Sequence, residues 1–184
     1  MKEIATSRVS PEEWLEGVKV PLLIGGLELD GESLYGLSPG EWVDAAVMDA
    51  YFSLLGVAWV SASEDRVGRI EGMTLCPACL DDHWSLLILD GDEKTVQHMN
   101  SEFVSCGYAE RVMRKYLPAP MRTWKKETVC TEQSCNHDDC GIYVAYYARR
   151  LVKGGGELAC SRAPEYRRHM LKELVAGKLL KWSQ

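Results

Sequence analysis

Cys140 stands where a polar loop gives way to an apolar helix, in the run Gln133-Ser134-Cys135-Asn136-His137-Asp138-Asp139-Cys140-Gly141-Ile142-Tyr143-Val144. Asp138 and Asp139 are N-cap residue types, and Cys140, Val144, Tyr147 and Leu151 then recur at helical spacing. The thiol is therefore expected in the first turn of a core-facing helix. There it meets the positive end of the helix dipole, which favours the thiolate, while the two aspartates act in the opposite sense. A cysteine at a helix start is more often a small buried hydrophobe than a nucleophile, so a second residue has to distinguish the two.

His83 is that residue. It opens the run His83-Trp84-Ser85-Leu86-Leu87-Ile88-Leu89-Asp90, aliphatic on both faces as a buried strand would be, and Lys94 to Ser101 reads as the strand returning from a turn at Asp90–Glu93. With the turn centred on Gly91-Asp92, paired positions sum to 183 and His83 lies directly opposite Asn100, with Cβ atoms about 4.5–5.5 Å apart. An imidazole and an amide delivered together need only meet Cys140 to give a Cys-His-Asn arrangement like that of papain-like proteases.

The rest of the chain reads as the support for these three residues. Its 184 residues suit one domain, and 46% hydrophobic with 26% charged residues is an ordinary globular composition. A net charge of −6 argues against nucleic acid as the main partner. No signal peptide, membrane span or polybasic address is visible, and seven cysteines is an odd count for a disulfide framework. Reduced thiols in the cytoplasm or nucleus are expected, with delivery into a host cell as the other route.

A short helix is expected at Pro11–Glu16, and the apolar stretch Val18–Leu29 is broken by Pro21 and Gly25-Gly26. A buried helix is expected to open at Ser38-Pro39 and to carry Trp42, Val43, Ala46, Val47, Ala50, Tyr51, Leu54 and Leu55 on a broad apolar face. Val57–Val60 and Met73–Cys79 read as strands, Ser101–Leu117 as a helix, and Thr123–Val129 as an edge strand. Gly154-Gly155-Gly156 would end the Cys140 helix, and Pro164–Trp182 reads as a basic amphipathic helix docked on the surface. Cys76-Pro77-Ala78-Cys79, with His83, Cys130, Cys135 and His137, could be assembled into a zinc site. The reading without metal is preferred, because no second close ligand pair follows and a metal would take His83 from the thiol.

The succession Glu41-Trp42-Val43-Asp44, His83-Trp84, Asn100-Ser101 and Asp139-Cys140-Gly141-Ile142-Tyr143-Val144 resembles the motifs of the ubiquitin-like-protein proteases, the SUMO-specific and adenain-related cysteine peptidases, in order and in spacing. The resemblance covers about Leu34 to Val152, and residues 1–33 match less clearly. It implies an α+β papain-like cysteine protease fold, a small mostly antiparallel sheet flanked by helices, in a single domain over residues 1–184. It also implies cleavage after the C-terminal Gly-Gly of a ubiquitin-like modifier, SUMO-like or ubiquitin, by a monomer without cofactor, metal, nucleic acid or membrane.

In that reading Cys140 is the nucleophile, His83 the base and Asn100 the group that orients the imidazole. Trp42 and Trp84 cover the modifier's tail, leaving room for glycine but hardly for a side chain, and Asp44 and Asp139 contact the modifier. Three positions depart from the family pattern. Asn100 stands where an aspartate is usual. The oxyanion glutamine expected six residues before the cysteine is Ser134, with Gln133 one place earlier, and either could donate. Ala45 replaces a common acidic residue. Two other functions fit the same residues: a modifier-binding module of low turnover, and an effector-type acyltransferase of the same clan.

Overall fold

His83–Asp90 does form a strand over those eight residues, almost wholly buried, and it is the middle of the sheet. The computed structural model describes residues 9–64, 66–101, 106–130, 137–156 and 158–182. In chain order these form α1 (Pro11–Trp14), the hairpin β1 (Leu22–Ile24) and β2 (Leu27–Leu29), α2 (Gly31–Tyr35) and α3 (Ala45–Leu55). There follow β3 (Ala58–Trp59), β4 (Met73–Leu80), β5 (His83–Asp90), β6 (Thr95–Asn100) and α4 (Cys106–Tyr116). Last come β7 (Lys125–Cys130), α5 (Cys140–Lys153) and α6 (Ala163–Ala176).

Strands β3 to β7 lie in sequence order in one sheet. The inner pairings β4–β5 and β5–β6 are antiparallel, and the outer ones, β3–β4 and β6–β7, are parallel, so the sheet is mixed with an antiparallel centre. Alternation along β5 divides the core. Trp84, Leu86 and Ile88 face a cluster built with α3, α5 and α6, whereas Leu87 and Leu89 face a smaller one built with Tyr108, Val112, Met113 and Tyr116 of α4. The nucleophile's helix and the base's neighbours are thereby set on opposite faces of one strand, so they can meet only round its end.

A turn at each end of β5 sets its registers. β4 and β5 join through Asp81-Asp82 alone, with both residues left-handed, at φ 52° and 57°. This is the two-residue type I′ geometry that matches strand twist, and aspartate tolerates it better than most side chains. At the other end of β5, Asp90 Oδ1 accepts from the N–H groups of Asp92 and Glu93, and Lys94 is left-handed at φ 52°. The loop is therefore Gly91–Lys94, one residue further along than expected, and Asp90 pairs with Thr95. Pairs sum to 185, not 183, so the position opposite Asn100 on β5 is Ser85. A shift of two keeps the face and moves Asn100 from opposite His83 to diagonal, still within reach of a long side chain.

Other expectations are corrected by local geometry. Helix α3 starts after Asp44, whose Oδ1 accepts from Val47 N at 2.7 Å, rather than at Ser38. Gly40, at φ +83°, turns the chain away from a helix opening there, leaving Trp42 in an extended segment, 45% exposed. Pro77 lies inside β4. It is tolerated because β3 pairs only with Thr74 and Leu75, so β4 has no outer neighbour at Pro77. The last helix ends at Ala176 rather than Trp182, and its docked face buries Tyr166, Arg167, Met170, Leu171, Glu173 and Leu174. Cys160 is disulfide-bonded, against the expectation of reduced thiols throughout, while Cys76, Cys79 and Cys140 are free. Among the described residues no helix is long and apolar enough to cross a membrane.

Candidate active site

Cys140 is the first residue of α5 and wholly buried. Its Sγ accepts from Trp84 N at 3.5 Å, which sets the sulfur beside the start of β5, one residue past His83. Gly141 permits this approach. A Cβ there would come within 3.0 Å of Val43 Cβ and 3.2 Å of Trp84 Cδ1. Val43 leads into α3 and accepts from Trp84 Nε1 through its carbonyl at 3.0 Å. The helix, the strand and the Trp42–Val43 segment thus converge on one point.

His83 is 9% exposed and lies with Nε2 2.6 Å from Asn100 Oδ1. An amide oxygen only accepts, so Nε2 carries the hydrogen in this contact, and the lone pair of a neutral ring resides on Nδ1. Tyr108 of α4 packs edge-on against the imidazole at 5.5 Å, and its hydroxyl donates toward the carbonyls of Leu80 at 3.2 Å and His83 at 3.1 Å. It ties both ends of the Asp81-Asp82 turn. Burial pushes this phenol above its ordinary range, which keeps it a neutral donor. His98, one residue along β6 from Met99 and on the Asn100 face, is fully buried with neither ring nitrogen bonded. Burial, and secondarily the nearby His83, lowers it to about 4.

The structure brings Cys140, His83, Asn100 and Trp84 together. Trp42 and Asp44 flank Val43 on the adjoining surface, Asp44 exposed and capping α3. Trp84 is only 5% exposed, so its indole is a wall of the core with one edge at the site. Asp139 is 3% exposed and its Oδ1 accepts from Arg167 Nε at 2.7 Å, so its carboxylate is engaged inside the protein. Gln133 and Ser134 lie outside the described residues. Cys76 and Cys79, three apart on β4, fall on opposite faces of the sheet, Cys76 in the α4 cluster and Cys79 against the other, and so make no ligand pair. Among the described residues no group of three or more His, Cys, Asp and Glu could hold a metal. Surface cavities of about 420 and 480 Å³, lined respectively by Trp59 and Arg69 and by Leu15 and Tyr35, lie apart from the site.

Sequence reasoning did not single out Tyr108 and Arg167. Tyr108 was one of several aromatics at helical spacing, and nothing local marks the one whose hydroxyl reaches a turn 25 residues away in sequence. Arg167 sits among other basic residues in α6. The clue was Asp139, a carboxylate in a segment that had to be buried and therefore needed a cation.

A cysteine opening a helix beside a strand-borne His-Asn pair, on an α+β frame, defines a papain-like cysteine protease arrangement. No protein-family model matches the chain. Its sequence is similar to sentrin-specific protease 5 of Mus musculus, 26% identical over 121 residues, and of Homo sapiens, 25% identical over 121 residues. Each match covers 60% of this chain but only 16% of the relative. In structure the chain is similar to the C-terminal Ulp1 protease domain in complex with Smt3, the yeast ortholog of SUMO. That match has a TM-score of 0.69 at 13% identity and covers 94% of this chain and 98% of the other. It is also similar to the Chaetomium thermophilum Ulp1-like SUMO protease catalytic domain, with a TM-score of 0.62 at 14% identity and 95% and 92% coverage. The fold is that of these domains, and sequence and fold together relate the chain to the ubiquitin-like-protein-specific cysteine proteases.

Proposed function

We propose that this chain is a cysteine protease or isopeptidase that cleaves after the C-terminal Gly-Gly of a ubiquitin-like modifier, SUMO-like or ubiquitin. The observation that carries the reading is the pairing of His83 Nε2 with Asn100 Oδ1 at 2.6 Å while Cys140 Sγ rests on the N–H of the next residue, Trp84. His83 Nδ1 takes the thiol proton, and the thiolate attacks the carbonyl of the terminal glycine. The carbonyl's electrons pass to its oxygen, which the Cys140 N–H and Gln133 or Ser134 receive, and collapse expels the amine as His83 returns the proton. Water then releases the thioester by the same sequence. Asn100 keeps the ring oriented throughout. Trp42 and the edge of Trp84 cover the tail and select glycine sterically, and Asp44 contacts the modifier's body. The chain acts as a single-domain monomer in the cytoplasm or nucleus.

The test is labelling by a ubiquitin-like modifier that carries a C-terminal electrophile, with SUMO and ubiquitin compared. Labelling of Cys140, abolished in Cys140→Ser with the fold intact by circular dichroism, is the expected result. Labelling at Cys79 or Cys135 overturns the assignment. Tight binding of the modifier without turnover, unchanged in Cys140→Ser, would establish the binding-module reading instead.

A further inference from the structure

Among the described residues an aspartate stands immediately before three helices, and it caps only two of them. Asp30 and Asp44 donate their carboxylates to the job in the usual way, accepting from Ser33 N at 2.8 Å and Val47 N at 2.7 Å. Asp139, at the same position before α5, makes no side-chain cap bond. Its Oδ1 is turned instead to Arg167 Nε of α6, at 2.7 Å, with both side chains buried. The remaining donors of the guanidinium are used on backbone carbonyls: Nη2 on Asp138 at 2.6 Å, and Nη1 on Ser38 at 3.0 Å and Gly36 at 3.4 Å. A single planar fork thus joins the turn before Cys140 to the turn that leads to Trp42, a geometry that lysine could not satisfy.

Buried ion pairs are a poor source of stability, because desolvation consumes most of what the charges gain from each other. Placement is the more telling feature of this one. A carboxylate one residue before Cys140, in a water-poor setting, opposes a thiolate on that residue, and a neutralised carboxylate drawn off the helix end does not. We infer that Arg167 is a positioning residue for the nucleophile: by binding Asp139 it withdraws and neutralises the charge on the amino end of α5, and so keeps the Cys140 thiolate attainable near neutral pH. The inference rests on Cys140 being the nucleophile of the site proposed above. Titratable groups on the elements that meet near the sulfur include His83 of β5, His98 of β6, Cys79 of β4, Tyr108 of α4, His137, Asp138 and Asp139 of the preceding turn, and Arg167 of α6. Only the Asp139–Arg167 pair is altered in the test.

The measurement is the pH dependence of iodoacetamide alkylation, followed at the Cys140 peptide by mass spectrometry so that the other thiols do not contribute, with thermal melts alongside. Arg167→Met, which leaves the carboxylate uncompensated, is expected to move the midpoint up by about one unit, the lower end of what a nearby charge produces. Asp139→Asn leaves the guanidinium uncompensated and moves it down, and the double variant returns it toward the native value. A purely structural staple would lower the melting temperature in all three and leave the midpoint where it was, and that result overturns the inference. Should Arg167→Met not fold, Asp139→Asn decides alone: an unmoved or raised midpoint refutes the proposal. Alkylation needs no substrate, so retained turnover in Cys140→Ser would sink the protease reading without touching this result.

Discussion

Asn100 is where this site differs most from an aspartate-based triad, and the difference is one of charge rather than of placement. Its Oδ1 holds His83 Nε2 at 2.6 Å, from a side chain only 3% exposed, so orientation is supplied in full. A neutral hydrogen bond contributes about 0.5–1.5 kcal/mol, against about 1.5–3 for one to a charged group, so support for the imidazolium is weaker. A cysteine is more acidic than a serine and relies less on its base, which makes the amide tolerable. Asn100→Asp is therefore expected to leave kcat/KM equal or higher, and Asn100→Ala to lower it at least about tenfold, the equivalent of about 1.4 kcal/mol. The assay is hydrolysis of a modifier–fluorophore conjugate, with folding checked by thermal melts. An alanine variant as fast as the native protein would remove Asn100 from the working set.

Among the elements, the contact between α4 and the sheet carries an unusual burden. Tyr108 braces the His83 turn from above, and the fully buried His98 lies beneath, 6.2 Å from the Tyr108 ring, with both nitrogens unbonded. Burial and the neighbouring His83 lower His98 to about 4, against an ordinary histidine value near 6.5. Because the folded value lies below the unfolded one, the unfolded chain binds the extra proton first. Stability from the neutral ring is complete above about pH 6.5 and is lost as pH falls through the folded value, with a total on the order of 3 kcal/mol. Urea denaturation at intervals between pH 7 and pH 4 should show this decline in the native protein and a shallower one in His98→Phe. Equal slopes would mean that other groups cause the acid loss.

At the scale of the whole molecule, one carboxylate joins most of the helical layer. Glu173 of α6 accepts from Tyr51 of α3 at 2.6 Å, from Arg149 of α5 at 3.3 Å and from the backbone N–H of Leu180 at 2.7 Å, and His169 lies 3.1 Å away. Burial by itself would raise this carboxyl, but the nearby His169 and hydrogen bonds from Tyr51 and Leu180 outweigh it and hold it below the usual range. Tyr166, bonded to Tyr51 at 2.7 Å, and Trp182, edge-on to Tyr166 at 5.1 Å, extend the network to the end of the described chain. Glu173→Ala strands the Arg149 charge and is expected to cost about 3–5 kcal/mol of unfolding free energy by urea titration. A loss under about 1 kcal/mol would show that the network is incidental to stability.

The sequence by itself determined whatever depends on near neighbours along the chain. The aliphatic run His83–Asp90 could only be a buried strand, the spacing of Cys140, Val144 and Tyr147 could only be one helix face, and Gly154 ended that helix because it can adopt φ +73°. Alternation alone put Trp84 on the face away from His83. Tertiary structure decided what depends on partners distant in sequence. Asp90's side chain and the left-handed Lys94 moved the loop by one and the pairing register by two, and because side chains alternate with a period of two, the His83–Asn100 contact survived on the diagonal. The start of α3 passed from Ser38 to Asp44 because both are competent caps, and only the path of the folded chain through Gly40 chose between them. The role of Asp139 could not be read locally either. One carboxylate can cap a helix, meet a ligand or pair with a buried cation, and that choice was made by Arg167, 28 residues further on and brought alongside only when α6 packed beneath the nucleophile's turn.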